Sequence, residues 1–252
     1  VSGHNKWSSI KHRKAAQDAK RGAAFNKVIR ELVVAAKEGG ADPATNFALA
    51  SAIERAKSVN LPKDTLEKAI KRGAGELGGE SYVRTSYEGR GPGGAAFIIE
   101  VLTDNKNRTV ADIRHIFTKH GGQLGETGSV GWMFERKGLL VVKADSFDED
   151  ALMEACLEAG ADDFRVDGEV AEIYTALEDL QGARGWFSES ATYAVQSAEP
   201  ALIPKDQVEI TDKKSARKLL RMLDALDECD DVQRVFSNWS MSDELVEEAA
   251  AE

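Results

Sequence analysis

The chain has 252 residues, 42% hydrophobic and 30% charged, with 33 basic and 43 acidic side chains for a net charge of −10. That length is long for one core and predicts two or three domains in a water-soluble protein. No run of about 18 apolar residues occurs, so no transmembrane helix is expected. Two cysteines, Cys156 and Cys229, are too few for a disulfide framework, which makes a reducing cytoplasm the expected compartment.

The charge is unevenly placed. Residues 1–72 hold 15 basic and 7 acidic side chains, a net of +8, and residues 73–252 hold the remaining 18 and 36, a net of −18. The first thirty residues carry Lys6, Lys11, Arg13, Lys14, Lys20, Arg21, Lys27 and Arg30 against Asp18 alone. A cationic end on an acidic chain implies a polyanionic partner, of which nucleic-acid backbones are the commonest. The start lacks the apolar segment of a secretory signal. A basic transit peptide fits its charge, but the helical pattern that follows reads as part of a fold.

Residues 1–14 form an arm without apolar periodicity. Phe25, Val28, Ile29, Leu32, Val33 and Ala36 recur at helical spacing and predict a helix over 17–37, ended by Gly39-Gly40. Asp42-Pro43 is the expected cap of a second helix, running to about Asn60. Pro62 opens a third, stopped by Gly73. Three short amphipathic helices make a small bundle.

The glycine-rich stretch 73–80 is a linker. Beyond it come a weak strand over 81–87, a turn at Gly89–Gly94, a strand over 95–103 and a helix over 107–120 capped by Asp104 or Asn105. A strand is expected at 130–134 and another at 139–143. A helix over 148–159, strands at 163–166 and 170–175, a helix at 177–187 and a strand at 192–196 follow, with Pro200 and Pro204 bracketing a turn. Asp212 caps a last strong helix to about Leu226, 232–238 closes as a strand, and the acidic tail 243–252 is expected to fray.

The fold class is therefore α+β: a basic three-helix domain over 1–75, then two ferredoxin-like domains, one inserted in the other. The outer one comprises 81–137 with 206–240. The inserted one is the acidic stretch 138–205.

The basic arm is the main functional signal. Lys6, Lys11, Arg13, Lys14, Lys20, Arg21, Lys27 and Arg30 are candidate phosphate contacts, with Trp7 and His12 as candidate stacking groups. The competing reading is a solvated tail whose Trp7 docks on the bundle. Phosphate contacts alone specify no sequence, and the second helix is too Ala-rich to be an obvious recognition helix. The loop Gly89–Gly94 lacks a Gly-Lys-Ser/Thr ending and does not open a helix, so it is no nucleotide loop. It is a tight hairpin, or a bare-backbone probe with Arg90 at its tip. Asn107 and Arg108 lie where a strand end meets a helix, and complete the candidate loop contacts. The 13 carboxylates of 144–180, set against Arg165 alone, have no EF-hand spacing and read as a solvated acidic surface or a face for a basic protein. The four histidines have no zinc spacing, no Gly-x-Ser-x-Gly elbow exists, and no carboxylate pair is identifiable. The reading is non-enzymatic, without cofactor, metal, small-molecule substrate or membrane partner.

Gly3-His-x-Lys-Trp7, Ile10-Lys-His-Arg-Lys-x-x-x-Asp18 and Lys27-x-Ile-Arg-Glu-Leu32 closely resemble the opening of the YebC/PmpR family. Tyr87-Glu-Gly-x-Gly-Pro-Gly-Gly94, Thr103-Asp-Asn-x-Asn-Arg-Thr109 and Gly121-Gly-x-Leu-Gly-x-x-Gly-Ser-Val130 continue the resemblance over residues 2–240. Asn5 stands where Ser is usual, and Arg90 fills a variable place. The resemblance implies a helical domain followed by two α+β domains. It also implies one of two roles: a DNA-binding transcriptional regulator, or a ribosome-associated translational activator that grips ribosomal RNA. Both imply DNA or ribosomal RNA, and with it the ribosome, as partner. A third role, read from the acidic surface, is a protein-interaction module.

Overall fold

The computed structural model describes residues 17–78 and 82–250, which divide into two compact units. One contains residues up to 130 together with 209–235 and 241–250. The other contains 131–208 and 236–240.

In the first unit, α1 (Gln17–Gly39), α2 (Phe47–Ser58) and α3 (Lys63–Gly73) form the bundle, with both later helices packed on α1. Leu32, Val33, Leu49, Ala52, Ala56 and Ala69 are buried between them. Small side chains let the helices approach closely. The limit is reached at Gly73, where an added Cβ would stand 2.3 Å from the Val33 carbonyl oxygen. The cap of α2 is Asn46, not the expected Asp42. The Asn46 side chain accepts the Leu49 amide at 3.0 Å while its own amide donates to the Ala35 and Gly40 carbonyls. Asp42 instead turns the chain, accepting the Ala44, Thr45 and Asn46 amides. One buried carboxamide thus satisfies both helix ends.

The same unit carries the antiparallel hairpin of β1 (Val83–Arg90) and β2 (Ala96–Thr103), joined by a 3₁₀ turn at Pro92–Gly94. Next come α4 (Lys106–Lys119), capped by Asn105, and the short β3 (Gln123–Leu124), which pairs with β1. β2 reads as continuous apolar sequence because it is covered on both faces: Ala96 to Thr103 is buried except for Glu100.

The second unit has the βαββαβ order. Its elements are β4 (Phe134–Lys143), α5 (Glu149–Glu158), β5 (Asp163–Asp167), β6 (Val170–Thr175), α6 (Leu180–Glu189) and β7 (Ala194–Pro204). The sheet order β5-β6-β4-β7 is antiparallel throughout and ferredoxin-like. Two expectations fail here. The strands expected at 130–134 and 139–143 are one strand, preceded by a 3₁₀ turn at Gly131–Met133, because polar Glu135 and Arg136 face out rather than ending it. Pro200 and Pro204 lie within β7, opposite Gly138 and Phe134, rather than around a turn. β7 is an edge strand, where a residue without an N–H is tolerated.

After β8 (Val208–Glu209) the chain supplies α7 (Lys213–Glu228) and β9 (Val232–Ser237), which completes the first sheet in the order β3-β1-β2-β9. β10 (Trp239–Ser240) pairs with β8. The acidic tail does not fray over its first eight residues. It is α8 (Asp243–Ala250), which buries Val246 and Ala249 and packs on α7.

Candidate nucleic-acid interface

Of the cations expected to touch phosphate, Lys6, Lys11, Arg13 and Lys14 lie outside the described residues, as do Trp7 and His12. Lys20 and Arg21 fall in the first turns of α1, but their side chains are outside the described set. Lys27 and Arg30 are committed within the fold. The Lys27 ammonium donates to the Asp227 carbonyl at 2.6 Å and lies 3.3 Å from its carboxylate. Arg30 lies 2.8 Å from Asp231 and stacks over the Tyr82 ring, 5.4 Å from its centroid. Midway along α1, Lys27 and Arg30 thus neutralise Asp227 in the last turn of α7 and Asp231 ahead of β9.

Asp231 is the centre of that arrangement. It is buried, and beside the Arg30 ion pair it accepts hydrogen bonds from Thr103, Thr109 and Arg108. Arg108 also holds Asp104 at 2.7 Å, and the two carboxylates stabilise its charged form. The Thr103–Thr109 motif thus serves as an internal clamp at this position. Asn107 is exposed beside it. Arg90 is exposed at the end of β1 and reaches the Gly94 carbonyl at 3.4 Å. Glu88 pins the second glycine-rich turn by accepting the Gly128 and Val130 amides, both at 2.8 Å.

Sequence reasoning missed the cationic face of α7. The sequence presents this helix through its apolar stripe, Ala216, Leu219, Leu220, Leu223 and Leu226, and the structure buries these together with Met222. On the opposite side Lys213, Lys214, Arg217, Lys218 and Arg221 line a groove of about 380 Å³. At 100° per residue these five fall within an arc of about 140°. The signal was legible, since residues 213–221 contain five cations and no acid. Lys213 lies 3.4 Å from Glu248. Lys214, Lys218 and Arg221 are exposed, with no carboxylate partner among the described residues.

Both glycine-rich loops border this helix. An added Cβ at Gly93 would meet Ile210 at 2.3 Å and Ser215 at 4.0 Å, and one at Gly121 would lie 3.3 Å from the Lys218 ammonium. His120, next to Gly121, is held below the usual imidazole range, first by burial and then by the charges of Lys119, Arg221 and His115. The smaller, charge-derived part of that depression comes from cations at this surface.

The described residues contain no cluster of three or more His, Cys, Asp or Glu able to hold a metal ion. The second unit has a groove of about 470 Å³ between Glu135, Lys137, Asp163, Arg165 and Lys205. It mixes both signs of charge, and Tyr174 in its wall donates to the buried Glu172 carboxylate. No described helix is long and apolar enough to cross a membrane.

A three-helix domain joined to α+β domains, with cationic helix surface on an acidic chain, defines the class. Residues 5–76 match the model of the TACO1/YebC protein N-terminal domain, and residues 82–239 match that of the TACO1/YebC second and third domain. The chain belongs to the TACO1/YebC family, as the motif resemblance implied. It is 50% identical over 247 residues to a "Probable transcriptional regulatory protein" of Desulfosudis oleivorans, covering 98% of this chain and 100% of that one. It is 51% identical over 245 residues to a protein of the same description from Pelotomaculum thermopropionicum, covering 96% and 100%. The crystal structure of a conserved hypothetical protein from Aquifex aeolicus is similar at 43% identity with a TM-score of 0.81, covering 91% of this chain and 95% of that chain.

Proposed function

We propose that this chain is a non-enzymatic regulator of gene expression that acts by binding nucleic acid, with DNA-bound transcriptional control as the leading reading. The observation that carries it is the charge division: +8 on residues 1–72 of a chain whose remainder is −18. That polarity orients the molecule on a polyanion and confines contact to its cationic surfaces, since the acidic bulk repels a polyanion brought within the screening distance of about 8 Å at physiological salt. The naming of its relatives as transcriptional regulatory proteins supports the regulatory half of the reading. Lys6, Lys11, Arg13, Lys14, Lys20 and Arg21 supply the backbone contacts, with Trp7 and His12 against base or sugar. Lys27 and Arg30 are left out because their charges are met by Asp227 and Asp231.

One feature favours a second reading, a translation factor on ribosomal RNA. The bundle offers little to read bases with. On α2 the charges are Glu54, Arg55 and Lys57, and Arg55 pairs with Glu31 at 3.0 Å. A surface that holds backbone without reading sequence suits a target defined by its shape.

Sedimentation of a lysate at low and high salt separates the two readings. Co-migration with ribosomes that salt removes and that K11A/R13A/K14A abolishes selects translation. Protein found only in the free fractions, combined with duplex DNA binding lost in the same variant, selects transcription. Binding to neither overturns both.

A further inference from the structure

We infer that the cationic face of α7 is a second nucleic-acid site, separate from the N-terminal arm, and that it holds the sugar–phosphate backbone of a single strand. The inference rests on the nucleic-acid reading above but not on the arm that carries it.

The first argument is local electrostatics. Lys213 and Lys214 stand in the first turn of α7, where the unsatisfied amides already present positive charge and cations are unfavourable. The pairs Lys213/Arg217, Lys214/Lys218 and Arg217/Arg221 stand at i,i+4, where like charges repel. Helix stability alone would place acids here, and does so only at the cap, where Asp212 accepts the Ser215 amide at 2.9 Å. Lys214, Lys218 and Arg221, exposed and without a carboxylate partner among the described residues, form a surface that an anion relieves. Lys119, exposed at the end of α4, adds a further cation to this surface.

The second argument is shape. The five cations surround a space of about 380 Å³ between the side chains of this one helix. It spans about 12 Å of helix axis. A space of that size takes the phosphates of one strand at a time. Gly93, Gly94 and Gly121 are all exposed and all at positive φ, so the loops beside the groove present bare backbone that allows close approach. Gly94 has nothing within 4 Å of an added Cβ. The two glycine-rich motifs and the charged side of α7 thereby become parts of one surface.

The test uses the full chain and fluorescence anisotropy between 50 and 200 mM KCl. The probes are a labelled 20-nucleotide single-stranded RNA, the DNA strand of the same sequence, and its duplex. Four proteins are compared: the unsubstituted chain, K214A/K218A/R221A, K11A/R13A/K14A, and the two sets combined. The α7 variant should bind the strands about tenfold more weakly at 50 mM salt, with a log–log salt slope shallower by about 2, at roughly 0.7 per lost phosphate contact. The decrement should persist in the arm-substituted background. Its melting temperature should be equal or higher, because repulsion is removed, and this separates lost binding from lost structure. If alanine lowers it, K214Q/K218Q/R221Q keeps the side-chain length and must show the same loss.

Strand affinity within twofold of the unsubstituted chain overturns the inference, as does a loss confined to the duplex. If only the arm variant loses binding, the proposed function stands and this site does not. If the unsubstituted chain binds none of the three probes, both fall. RNA and DNA strands lost in parallel identify backbone recognition, while a loss restricted to RNA adds the 2′-hydroxyl to it; either result supports the site.

Discussion

Arg30 on α1 and Asp231 ahead of β9 meet at 2.8 Å, so the chain that returns after the inserted unit is fastened to the first helix. The side chains are largely buried, 14% and 5% exposed. Thr103, Thr109 and Arg108 share the same carboxylate, which ties the end of β2 and the start of α4 to that junction.

Asp231→Ala removes the acceptor for all of these groups and leaves a cation and two hydroxyls inside. Unpairing one partner of a buried ion pair costs about 3–5 kcal/mol. Urea unfolding of D231A should show a loss in that range. Arg30→Ala combined with it should cost less than the two singles summed, because the orphaned charge is gone. Simple additivity would mean that the two residues do not act as a pair.

Lys27→Ala should lower stability by about 1 kcal/mol and leave nucleic-acid affinity unchanged, since its ammonium is engaged by Asp227. Lys11→Ala should do the reverse. Parallel thermal melts and binding titrations read both. An affinity loss in K27A equal to that in K11A would show that Lys27 leaves Asp227 to join the interface.

Gly73→Ala places a methyl group 2.3 Å from the Val33 carbonyl oxygen, so α3 must shift away from α1. Overpacking of this kind costs about 1–3 kcal/mol. Gly22→Ala, with nothing within 4 Å of the new carbon, is the control and should be neutral or slightly stabilising. Equal melting temperatures for the two would contradict the close approach of the helices.

His120 should titrate below the unfolded imidazole value of about 6.5, because burial and neighbouring cations disfavour its charged form. With the folded pKa depressed, the unfolded state binds the extra proton as pH falls. Stability therefore declines below about pH 6.5 and levels off once pH passes below the folded value. Ring proton shifts in NMR follow this directly. Arg221→Ala should raise the value only part of the way, since burial is the larger cause. Full restoration would make the charge the dominant influence.

The bundle, the βαββαβ order, the Asp212 cap and a cap at Asp104 or Asn105 were legible because apolar period and capping chemistry are local. Pro200 and Pro204 misled because a proline reads as a break unless its strand is known to be an edge. The tail at 243–250 misled because its acids hide the short Val246–Ala249 contact with α7. At the candidate site, the arm's charge stands out because it is dense and nearly free of acids. Lys27 and Arg30 belong to the same run, yet their partners Asp227 and Asp231 are distant in sequence and no local pattern joins them. The cations of α7 were overlooked for the opposite reason: a strong apolar stripe accounts for the helix, and charge on its other side passes for an ordinary solvated face.

The central claim, that this chain holds nucleic acid through its cationic surfaces, is tested most directly by the salt dependence of binding. Anisotropy titration of the full chain against a 20-mer between 50 and 200 mM KCl should give a log–log slope of about −4 or steeper, reflecting at least five phosphate contacts. K11A/R13A/K14A should flatten that slope. Binding that is absent at 50 mM salt, or that does not change across the range, would contradict the account.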